Sequence, residues 1–161
     1  MAQSIYQSEI IFNLNTRLFL NALEGVTEEQ AKERISDHNN PLTWLAVHTV
    51  WARYNIVGLL GKEVDNPYKG LFEGFKPFDP NYKYATLAEA KAEWKKASEL
   101  LKEALATVTE ERLAADAPFK SPIGDFTIGG TIAFLAQHES YDIGQAGLLK
   151  KYFTKEAMSY N

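Results

Sequence analysis

The stretch "QHESYDIGQ", Gln137 to Gln145, sets a histidine, two acids and a glutamine where a helix is expected to pack. His138 and Asp142 are four residues apart. On a helix that is a rise of ~6 Å and a rotation only ~40° past a full turn, so an imidazole and a carboxylate can converge on one ion. A third ligand from a neighbouring helix would complete a three-ligand site with open positions. Neutral imidazole suits zinc, nickel, copper or iron, a carboxylate makes the site harder, and an open position is what a catalytic metal keeps for water or substrate. The same spacing equally serves a hydrogen-bonded His and Asp pair on a helix surface, and spacing alone does not separate the two.

The chain has three histidines and no cysteine. Disulfides, thiolate metal sites and a cysteine nucleophile are therefore excluded, and any metal must be held by imidazole, carboxylate or water. His48 falls beside Trp44 and Trp51 on a helical face expected to be buried, where it reads either as a core histidine or as a ligand. The Trp44 and Trp51 stripe reads as core, and Trp51 and Tyr54 as packing residues near a pocket mouth. His38, among Asp37 and two asparagines, reads as a cap or surface residue. "HESYD" has the shape of the zinc-protease H-E-x-x-H with Asp142 in the last position, which would make Glu139 a general base. No third ligand follows at protease spacing, however, and a helical chain of this size leaves little room for a peptide cleft. A di-iron bundle would need Glu three residues before a histidine, and none of the three has it.

The elements that must position these residues are helical. Ser4 to Leu23 carries two adjacent apolar stripes, Ile5, Phe12, Phe19, Leu23 and Ile11, Leu14, Leu18, Ala22, so the first helix should be broadly buried. Thr27 and Gln30 fit a capping box at a short acidic turn. Asn40 is placed at a cap and Pro41 at the first position of a second helix running to about Leu60 and stopped by Gly61. The stretch 66–84 is too rich in Pro and Gly for a helix, while its aromatics argue that it packs onto something. Thr86 caps a third helix whose inner stripe is Leu87, Ala90, Trp94, Ala97, Leu101 and Leu105. "DFTIGG" is a brief strand or the lead-in to a cap, and the last helix should span about Gly130 to Lys151. Along that helix Leu135, His138, Asp142, Gln145, Leu149 and Tyr152 trace a stripe that is polar in its middle, which predicts a polar pocket. No sustained alternation of period two occurs, so the expected fold is all-α, a four-helix bundle with a long crossover loop between the second and third long helices.

With 161 residues, 45% of them apolar, the chain fits one domain over 1–161. A net charge of -4 with interspersed signs disfavours nucleic acid, which needs a clustered basic face. The start of the chain lacks a signal-peptide pattern and no apolar run approaches the ~20 residues that span a bilayer, so a cytoplasmic protein is expected.

The chain resembles the DinB/YfiT-like superfamily of helical-bundle proteins. The resemblance rests on "PLTWLAVHTVWAR", with a histidine a turn after the tryptophan, and on "HESYDIGQAGLLKKY". It covers the whole chain in helix order and lengths, but only these two motifs are specific. His138, Ile143, Gly144 and Gln145 match the late family motif, whereas Asp142 stands where a second histidine is usual. The resemblance implies a dimer-forming four-helix bundle with a divalent ion, zinc or nickel first and manganese or iron next, held by His48, His138 and Asp142. It further implies a thiol-dependent transferase or hydrolase-like activity in which a low-molecular-weight thiol brings the nucleophile to a small electrophile. Gln145 and Glu139 are the residues placed to orient a ligand or bound water. Asp142 leaves two outcomes open: a site of two histidines and one aspartate, or a metal-free relative serving as a dimeric interaction protein.

Overall fold

Thr86 and Thr127 begin the two longest helices in the same way. The hydroxyl of Thr86 accepts from the backbone N–H of Glu89, and the Glu89 carboxylate accepts in return from the Thr86 backbone. Thr127 accepts from the Gly130 N–H, so each threonine satisfies a helix donor that has no partner inside the helix. Replacing Thr86 with Ala should cost about 1 kcal/mol in urea unfolding, the usual worth of an N-cap. The computed structural model describes residues 5–161, and the start of the first predicted helix at Ser4 lies outside them.

Six helices follow in chain order: α1 (Tyr6–Ala22), α2 (Glu28–Lys32), α3 (Leu42–Leu59), α4 (Leu87–Thr107), α5 (Glu110–Ala114) and α6 (Ile128–Thr154). Among the described residues there is no strand, only an isolated antiparallel bridge between Asp116 and Thr127. "DFTIGG" is thus the approach to a cap. Asp125 accepts from the Thr127 backbone and hydroxyl, and a methyl on Gly130 would stand 2.3 Å from the Asp125 carboxyl carbon, so glycine is required there. Pro41, not Asn40, is the N-cap residue of α3, so the helix starts one residue later than expected; its ψ of 158° keeps Pro41 outside the helix.

The four long helices pack pairwise, α1 with α6 and α4, and α3 with α4 and α6. Their shared interior has three layers. One apolar cluster holds Phe19, Leu45, Val50, Trp94, Ala97 and Ile143, and a second holds Phe12, Ile56, Leu101, Leu105, Ile132 and Ala136. Between them lies a polar layer centred on Arg53. Its guanidinium donates to both carboxylate oxygens of Glu139 at 2.6 and 2.8 Å, to the hydroxyls of Thr16 and Ser98, and to the Phe12 carbonyl. It also lies 3.5 Å from the centroid of a Trp94 ring. One side chain therefore ties all four long helices, and every N–H of a group that is costly to bury has an acceptor.

The connection 60–86 packs back on α3. Phe72 is buried against Trp44, His48 and Trp51, and the Asn66 side chain donates to the Trp51 carbonyl and to Asn55. No helix among the described residues is long and apolar enough to cross a membrane.

Candidate functional site

His48 and Asp142 meet because α3 and α6 pack side by side with these positions on facing sides. The Nδ1 of His48 stands 3.0 Å from Asp142 Oδ2, and the Nδ1 of His138 stands 3.4 Å from the same oxygen. One carboxylate oxygen thus gathers two imidazoles. The side chains grade from the core outwards, with Asp142 at 5% exposure, His48 at 15% and His138 at 35%. A neutral imidazole that gives its Nδ1–H to a carboxylate keeps Nε2 as a free acceptor or ligand.

Both rings line a cavity of about 420 Å³ whose walls come from α3, α6 and the two connections 60–86 and 115–127. Aromatic side chains dominate its lining: Trp44 and Trp51 from α3, Phe72 and Phe75 from the first connection, Phe119 from the second, Phe134 from α6. Trp44 stacks on His48 at 4.7 Å, and Phe134 meets His138 edge to face at 5.8 Å. The Trp51 indole N–H donates to Glu73 at 3.3 Å.

The electrostatics follow from this geometry. For Asp142 burial is the largest influence and acts to raise its pKa, but hydrogen bonds and charge from His138 and His48 together outweigh it and hold the carboxyl below its usual range. The hydrogen bond to Asp142 lifts His138 above the ordinary histidine value against partial burial. The signs set a stability window for the metal-free protein. The His138 contribution is full below its unfolded pKa of about 6.5 and is lost as pH rises through the raised folded value. The Asp142 contribution is present above its unfolded pKa of about 3.9 and is lost as pH falls through the lowered folded value. Melting temperature without metal should therefore fall as pH rises from about 6.5 through the raised His138 value, and Asp142→Asn should flatten that dependence.

Of the residues singled out from the sequence, His48, His138 and Asp142 come together. Gln145, one turn further along α6, is partly exposed and does not line the cavity. Glu139 has to be corrected. It is buried in the polar layer with both oxygens on Arg53 and does not line the cavity, so no lone pair is presented to a reacting group there. Tyr54 also turns away from the cavity; its hydroxyl donates to Glu93 at 2.8 Å, and burial followed by that carboxylate pushes its pKa up. Trp44, read from the sequence as core, and Trp51, read as core and as packing near a pocket mouth, both form cavity wall. His38 is exposed in the connection before α3, as expected.

A family model described as the DinB superfamily matches residues 11–146. The chain belongs to the DinB superfamily. No curated protein and no solved structure matches it. Within this DinB chain, no group of three or more histidines and acids among the described residues is placed to hold a metal ion; His48 and His138 instead close on Asp142, 3.0 and 3.4 Å from its Oδ2. Their donor set nevertheless suits a divalent ion. Two imidazoles and one carboxylate are ligand types that zinc, nickel and iron accept, and the two Nδ1 to Oδ2 separations, 3.0 and 3.4 Å, are lengths that a hydrogen bond shares.

Proposed function

We propose that this DinB protein is a metal-dependent enzyme in which His48, His138 and Asp142 hold a divalent ion, zinc or nickel in the first place and manganese or iron in the second. The observation that carries this reading is the convergence of two imidazole nitrogens on one buried carboxylate oxygen, with both imidazoles lining an aromatic cavity. An ion bound there supplies Lewis acidity that lowers the pKa of a coordinated thiol or water. The chain's own residues do the rest. Asp142 stands against both rings, and the aromatic cavity wall excludes bulk water, while Glu139 is committed to Arg53.

The reaction class is thiol transfer or a related hydrolysis. The chain has no cysteine, so a low-molecular-weight thiol would bring the nucleophile to a small electrophile. The four long helices are read as a four-helix bundle with 60–86 as crossover, since the N-terminal halves of α3 and α4 share one apolar cluster with the C-terminal halves of α1 and α6.

The alternative is a metal-free bundle acting as a dimeric interaction protein. It is favoured by the hydrogen-bonded closure of the three residues and by exposed Tyr6, Ile10 and Leu14 on α1 and Tyr141, Leu148 and Tyr152 on α6, two helices that pack together. Turnover separates the readings. Protein loaded with zinc or nickel should form a thioether from glutathione and a dinitrophenyl halide faster than the same protein after chelation, and His138→Ala should abolish the difference. Equal rates with and without metal, together with a dimer in sedimentation, favour the interaction protein.

A further inference from the structure

Phe75 is fully exposed, yet it lines the cavity from the tip of the connection 60–86. Its φ of 59° lies in the left-handed region, which a bulky side chain adopts at a cost and which persists where surrounding structure or function requires it. Nothing buried against Phe75 in the free protein offsets that cost. Phe119, 44% exposed, lines the same cavity from the connection 115–127. Deeper in, Trp44, Trp51 and Phe134 complete the wall, and His48 and His138 are its imidazoles.

We infer that this cavity takes a compact, flat, predominantly apolar molecule, aromatic in the first instance, with one polar group set against the imidazoles, and that Phe75 covers it. The inference rests on reading the cavity above His48 and His138 as the working site, and it names the substrate class of that site. At about 420 Å³ the cavity is within the range of small-molecule sites, and such sites bind through apolar and aromatic walls with a few placed polar groups. Ring pairs stacked offset or edge to face add to the area they bury. A flat ligand would give Phe75 and Phe119 the burial they lack. The wall has one cationic side chain, Lys76, and its amine is already donating to the Gly70 carbonyl at 2.7 Å. A charged peptide thiol would leave its carboxylates unpaired against such a wall. The apolar body of the electrophile therefore fills the aromatic cavity, and a thiol cosubstrate keeps its charged body at the rim and extends only its sulfur towards the imidazoles.

The test is calorimetric titration of the full chain, metal-free and then zinc-loaded, with 1-naphthol as the aromatic probe and glutathione as the polar one. Saturable binding of one naphthol per chain is expected, not displaced by glutathione. Phe134→Ala should weaken it about tenfold and Phe75→Ala about threefold, in line with the worth of aromatic contacts. Phe75→Ala removes a fully exposed side chain, so an unchanged melting temperature in that variant shows that the loss is one of binding. Absence of saturable naphthol binding, unchanged affinity in both variants, or displacement by glutathione overturns the inference. Zinc uptake by the same preparation keeps it distinct from the metal reading: zinc bound with naphthol refused overturns the substrate class alone, and naphthol bound with zinc refused overturns the metal alone.

Discussion

Glu139→Leu should lower the free energy of unfolding by about 3–5 kcal/mol, read as a shift of the urea midpoint, because it strands the Arg53 charge in the core. Both side chains are essentially without solvent, at 0% and 1% exposure, so no water can replace the lost carboxylate. Glu139→Gln keeps one acceptor and should cost less. Arg53→Met combined with Glu139→Leu should recover most of the loss, since replacing a whole buried pair by apolar groups of similar volume is often neutral or stabilising. A single variant as stable as the parent would contradict the buried pair. The effect should reach α1 and α4 as well, because Thr16, Ser98 and the Phe12 carbonyl all lose the same donor when Arg53 moves.

Zinc or nickel at about one hundred times its dissociation constant should stabilise the protein by about 2.7 kcal/mol through binding to the native state alone. For a chain of this length that is a rise of about 5–11 °C in melting temperature. His48→Ala and His138→Ala should each remove the rise while leaving the metal-free protein folded, as both side chains lie towards the cavity and outside the apolar clusters. The pH trend of this metal effect is opposite to that of the metal-free protein. An imidazole must be neutral to bind, so the shift should grow as pH rises above about 6.5, the direction in which the metal-free protein loses stability.

Periodicity carried most of the fold. Every residue of the α4 stripe from Leu87 to Leu105 is buried, and Thr27, Thr86 and their partners cap as a threonine followed by Gln or Glu predicts. The pairing of His48 with His138 and Asp142 was open to a reading that combined helix spacing with family resemblance. What stayed hidden depends on contacts between distant segments. Nothing local in "HESYD" says that Glu139 faces an arginine on α3. The available signal was Arg53 itself, a lone charge in the apolar run "LTWLAVHTVWARYNIVGL", which calls for a buried acid somewhere. Loop aromatics show no period, so Phe72 in the core and Phe75 in solvent could not be told apart by sequence. On α1 the second stripe proved only partly buried, Leu14 lying at 38% exposure, because α1 meets neighbours on one side.

The proposed function requires an ion between His48, His138 and Asp142. Crystals of the zinc- or nickel-loaded protein measured at the metal's absorption edge answer this directly. The expected result is a single anomalous peak per chain, about 2.0–2.2 Å from a nitrogen of each histidine and from an Asp142 oxygen. A map with no peak there, and with both imidazoles still hydrogen-bonded to Asp142 Oδ2, would contradict it.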